Sequence, residues 1–82
     1  MLQWVIIMPT LRHLKPGQSA RVVWVRGEGP LRQRIMEMGL TPGVKVWVRK
    51  LAPLGDPMEI RVRGYSLSLR RADAALVEVA RQ

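Results

Sequence analysis

The sequence predicts a mainly β domain: a small SH3-like β-barrel of about five short strands, with one α-helix inserted after the first strand. Three observations lead there. Short runs of alternating apolar and polar residues recur between Ser19 and Val79, which is the period of strands with one buried face. Turns containing Gly and Pro separate these runs at close intervals. Only one stretch, Pro30 to Met38, combines a helical period with a start signal and a stop signal. An OB-like barrel is the second arrangement compatible with this pattern, and neither fold by itself assigns a function.

In chain order, residues 1–9 read as an N-terminal extension and residues 10–82 as the domain. The apolar residues Met1 to Met8 form either an extra edge strand or a loose tail. They are too few to span a bilayer, which takes about 20 residues. They also lack the basic start and cleavage site of a signal peptide. Thr10 to Leu14 predicts one helical turn, capped by Thr10, with Leu11 and Leu14 on one side. Lys15-Pro-Gly-Gln18 and Thr41-Pro-Gly-Val44 have the Pro and Gly placement of type II turns. Ser19 to Arg26 is a Val-rich strand whose run Val22-Val-Trp-Val25 means either two buried faces or a bulge.

The helix takes Gly29 as its N-cap, Pro30 at its first position and Gly39 as its left-handed stop. Leu31, Ile35 and Met38 form its apolar stripe, and Leu40 folds back onto Ile35. Val44, Val46 and Val48 alternate with Lys45, Trp47 and Arg49 in a second strand. Ala52 to Pro57, with two prolines and a glycine, is a loop. Met58, Ile60 and Val62 mark a third strand, with Arg61 and Arg63 on its outer face. Gly64-Tyr65 is the expected hairpin turn, with Gly first. Leu67 and Leu69 mark a fourth strand, Arg70 to Ala75 one helical turn, and Leu76 to Val79 a fifth strand, with Arg81 and Gln82 frayed.

The composition narrows the chemistry. There is no Cys, so disulfides and thiolate metal sites are excluded. His13 is the one histidine, which leaves no His/Cys metal spacing. Thioether suits soft metal ions and is a weak ligand for the harder divalent ones, so the five Met are poor ligands. Ser19, Ser66 and Ser68 lie in no nucleophile motif, and no Gly-rich phosphate loop with its Lys is present. Asp56 and Glu59 read as turn chemistry and surface charge. The expectation is a non-enzyme with no cofactor and no resident metal.

Surface recognition remains. The net charge is +8, from 14 Lys and Arg against 6 Asp and Glu. Such a chain can meet an acidic protein face, an anionic membrane surface or nucleic acid. At 100° per residue Met36 falls outside the helix's core stripe, beside Arg32, while Trp47 projects outward between Lys45 and Arg49. Arg32, Met36, Lys45, Trp47 and Arg49 are therefore the candidate partner-binding residues, since aromatic, Met and Arg side chains are favoured at interfaces. The competing reading is scattered surface apolar residues, which are ordinary.

The assembled motifs resemble the FeoA family. They are Leu14-Lys-Pro-Gly17, the block Leu31-Arg-Gln-Arg-Ile-Met-Glu-Met-Gly-Leu-Thr-Pro-Gly43, Ala52-Pro-Leu-Gly-Asp-Pro57, and the span from Val62-Arg-Gly-Tyr65 to Leu69-Arg-Arg71. In this order they cover about residues 10–79. The resemblance implies a cytoplasmic SH3-like barrel with a part in bacterial ferrous iron uptake. Its implied partner is the cytosolic part of a FeoB-type permease. It also implies kinship with the C-terminal interaction modules of iron-dependent repressors. Action would be by protein contact, without membrane insertion or nucleic-acid binding, and self-association is compatible with it. The alternative is a nucleic-acid-binding SH3-like module.

Overall fold

The computed structural model describes residues 9–81. Five strands form one antiparallel sheet: β1 (Ser19–Val25), β2 (Lys45–Leu51), β3 (Met58–Val62), β4 (Tyr65–Leu69) and β5 (Val77–Arg81). Their spatial order is β4-β3-β2-β1-β5, so β2, β3 and β4 form a meander and the last strand returns beside the first. Helix α1 (Gly29–Glu37) follows β1, and the single-turn helix α2 (Arg71–Ala74) joins β4 to β5. A 3₁₀ turn (Leu11–His13) precedes the sheet. This is the mainly β architecture expected, with its helix after the first strand.

Alternation decides what each strand buries. Val46, Val48, Met58, Ile60 and Val62 point into the core, while Trp47 and Arg61 stay outside. Leu11, Leu14, Ile35, Leu40, Leu69, Val77 and Val79 complete that core. Each such aliphatic side chain contributes about 1.5–3 kcal/mol when fully buried. The apolar run in β1 resolves as a bulge. The register with β5 shifts between Val22 and Trp24, so Val22 and Val25 turn inward and both Val23 and Trp24 face out. A second register shift interrupts β2 against β3, between Val48 and Lys50.

Both type II turns form, closed by Val44 N–H to the Thr41 carbonyl at 3.1 Å and by Gln18 N–H to that of Lys15 at 2.9 Å. Several boundaries differ from the sequence reading. Glu28, not Gly29, is the N-cap of α1. Its apolar stripe is buried only toward the C-terminal end: Ile35 is fully covered, Met38 is half-buried and Leu31 remains 36% exposed. The helix is fastened at that end, where Leu40 enters the core and the Tyr65 hydroxyl donates to the Met38 carbonyl.

The hairpin turn is Arg63-Gly64, not Gly64-Tyr65. Val62 pairs with Tyr65, and the two central residues have φ of 49° and 86°. Two positive φ values make the type I′ geometry whose twist matches that of the flanking strands. Arg63 therefore belongs to the turn and not to the outer face of β3, and its guanidinium donates to Thr41 Oγ1 at 3.0 Å. Arg81 is in β5, opposite Ala20, instead of frayed. Residues 1–8, expected to form an edge strand or a loose tail, and Gln82, expected to fray, lie outside the described residues. Pro9 and Thr10 are held to β5, through Val79 N–H to the Pro9 carbonyl at 2.9 Å and a bridge between Thr10 and Glu78.

Candidate functional site

The five candidate residues fall into two groups. The first is built by β2. Because Val46 and Val48 face the core, Lys45, Trp47 and Arg49 share the outer face. Strand pairing places Trp47 in one transverse row with Ser19, Arg61 and Ser66, and places Lys45 opposite Arg21. Trp47 is 42% exposed, with the Lys45 ammonium 5.0 Å from its ring centroid. A cation over an exposed indole is worth about 0.5–1 kcal/mol, enough to favour this orientation of both side chains.

Glu59, on the outer side of β3, lies 3.5 Å from Arg49 Nε and 3.8 Å from Lys50 Nζ. Among the described residues Arg61 reaches only the Gly64 carbonyl, at 3.4 Å. Trp47, Arg49 and Arg61, with Val48 and Gly17, line an open groove of about 460 Å³. The sheet thus presents an aromatic plate set among cations with one carboxylate at its border.

The second group sits on α1. Arg32 donates from Nε to the Val25 carbonyl at 2.7 Å, and its guanidinium carbon stands 4.5 Å from the Trp24 ring centroid. Arg32 and Met36 line a separate groove of about 480 Å³ with Gly29, Gln33 and Glu37. Met36 does not stand clear of the core, as helical phase alone implied; it is half-buried and packs against the core. The groups occupy opposite ends of β1. Trp47 pairs with Ser19 at the start of that strand, whereas Arg32 holds Val25 at its end. The separation is about 20 Å of extended chain. The five candidate residues therefore lie on two surfaces.

Sequence reasoning missed Trp24, which is 51% exposed under Arg32, because the apolar run left two buried faces and a bulge both open and did not say which residues a bulge would turn outward. It also passed over Leu54, 96% exposed in the loop between β2 and β3. That loop was legible as a loop, but its one apolar side chain was not singled out. Asp56 accepts the Arg71 N–H at 3.0 Å and so seats α2. Nδ1 of His13 accepts the Thr10 N–H at 3.1 Å, which gives the lone histidine a structural task. Among the described residues no group of three or more His, Asp or Glu is placed to hold a metal ion. Nor is any described helix long and apolar enough to cross a membrane.

The chain is 46% identical over 69 residues to the Fe(2+) transport protein A/Fe(2+) transporter FeoB fusion protein of Porphyromonas gingivalis. That stretch is 84% of this chain and 8% of the fusion protein's length. The FeoA-like protein of Clostridium acetobutylicum superposes with a TM-score of 0.85 at 32% identity, covering 94% of this chain and 90% of that one. FeoA of Stenotrophomonas maltophilia, described as a procaryotic SH3 domain protein and solved with zinc, superposes with a TM-score of 0.76 at 28% identity, over 88% and 89% of the two chains. The fold is accordingly SH3-like. The FeoA domain model matches residues 10–81, which run from the Thr10 bridge to the last residue of β5, and the chain belongs to the FeoA family, associated with ferrous iron transport.

Proposed function

We propose that this chain is a cytoplasmic accessory protein of ferrous iron uptake that acts by contact with the cytosolic part of a FeoB-type permease, not by catalysis. The observation that carries this reading is the fused relative, in which an FeoA-type segment and a FeoB transporter share one polypeptide. Two functions that occur fused in one chain commonly work in contact when separate. The surface chemistry agrees. Exposed Trp and Arg side chains are the residue types that anchor protein interfaces, and here Trp47, Arg49 and Arg61 stand on paired strands and Arg32 on α1. Ferrous iron is the cargo of the partner in this scheme, and the adaptor contributes the contact.

The test is a titration of the purified protein against the cytosolic part of its permease, across a salt series, with duplex DNA in parallel. Saturable binding that survives moderate salt is expected. Trp47→Asp should weaken it about tenfold or more, the scale of a central aromatic anchor, with an unchanged circular dichroism spectrum. Full affinity in both Trp47→Asp and Arg32→Glu would remove both candidate surfaces. Salt-sensitive DNA binding without permease binding would favour the nucleic-acid module instead.

A further inference from the structure

We infer that the Trp47 surface takes a short acidic segment of the partner protein, with one apolar side chain in the groove and carboxylates on the surrounding cations. This rests on the reading of the chain as a protein-docking domain and specifies the chemistry of the docked segment. Three observations converge on it. First, charge on this face is unbalanced. Arg21, Lys45, Arg49 and Arg61 surround Trp47, and Glu59 is the acid nearby, already shared between Arg49 and Lys50. Second, Glu59 is a built-in example of the proposed contact, a carboxylate lodged between two cations of β2. Lys45 has no carboxylate partner among the described residues, and Arg61 has only the long bond to the Gly64 carbonyl. Third, the groove opens beside the indole, and the Trp47 ring is the exposed apolar side chain in its lining.

Single-stranded nucleic acid fits this face less well. Stacking platforms offer successive rings to successive bases. Among the described residues this surface has one ring, and Lys45 already covers one side of it. Trp24 belongs to the other end of β1, beneath Arg32.

The experiment uses the full chain and a fluorescein-labelled Glu-rich peptide carrying one central Leu, followed by fluorescence anisotropy at about 0.15 M salt, where exposed charges further apart than ~8 Å are largely screened. Saturable binding is expected. The double variant Lys45→Glu/Arg61→Glu should lose about tenfold or more in affinity, and Trp47→Ala a comparable factor. Arg12→Glu/Arg70→Glu makes the same change in net charge away from this face and should stay within about threefold of the parent. Equal losses in the two double variants would overturn the inference, because binding would then follow net charge alone. Tighter binding of oligo(dT), displacing the peptide from the same face, would overturn it too.

The permease arm separates the two readings. Suppose its cytosolic part binds the chain but is not displaced by the peptide, and also binds Lys45→Glu/Arg61→Glu normally. The acidic-segment assignment then fails while the docking function stands. Face-specific peptide binding without any permease binding would instead retain the surface and overturn the permease as partner.

Discussion

Gly39 shows how much can depend on one missing side chain. Its φ of 103° ends α1, its N–H donates to the Met36 carbonyl at 2.9 Å, and the Tyr65 hydroxyl lies against it while donating to the Met38 carbonyl. A methyl group here meets two obstacles, a backbone conformation costly to L-residues and the Tyr65 hydroxyl in its path. Gly39→Ala should therefore cost about 3 kcal/mol, and Tyr65→Phe about 1 kcal/mol for the lost hydrogen bond. At about 4–8 °C per kcal/mol for a domain of this size, thermal melts resolve both. In the Tyr65→Phe background Gly39→Ala should cost less, since only the backbone strain remains. Additive losses would show that the hydroxyl is not the obstacle. The stop at Gly39 was legible in the sequence because the chemistry of a helix end is local. Its lock on Tyr65 was not, because the bonded residues lie 27 positions apart. Trp47 was legible through strict alternation in β2, and Trp24 was lost to the bulge in β1.

At the level of elements, the sequence signals that succeeded are periodic and those that failed are interruptions of period. β2, β3 and β4 follow from alternating Val, Ile and Leu, and both type II turns follow from Pro-Gly. The β3–β4 turn was misplaced by one residue because its central pair is Arg63-Gly64, without the Asn or Asp that marks a type I′ turn. That choice is open to test. Left-handed backbone costs a residue such as Arg about 1–2 kcal/mol, while the exposed bond from Arg63 to Thr41 returns roughly 0.5–1.5 kcal/mol. Asn tolerates this conformation, so Arg63→Asn should raise the urea midpoint slightly, by about 0.5 kcal/mol of stability. A midpoint below that of the parent would mean that the Thr41 bond outweighs the strain. The split of the candidate site is also an effect of elements. Strand alternation put Lys45, Trp47 and Arg49 on the outer face correctly, whereas helical phase misplaced Met36, and neither carries the distance between the two faces.

For the molecule as a whole, the described residues already close the core, with Leu11 and Leu14 fully packed and Pro9 hydrogen-bonded to β5. We expect a variant lacking residues 1–8 to keep the parent's urea midpoint within about 0.5 kcal/mol and to bind the same partner. A large drop in either would extend the functional unit to the first residues. The bridge between Thr10 and Glu78 has a further consequence. The domain's two boundaries emerge side by side, so it can hang from another polypeptide by a single point, and either boundary can be the attachment. A pendant of this kind needs no rearrangement to be fused, and its reach is set by the tether. A short flexible tether holds it near its target at an effective concentration of order millimolar. A contact too weak to persist between separate chains would then be nearly always made. Evolution can therefore tune occupancy through linkage while leaving the binding surface alone.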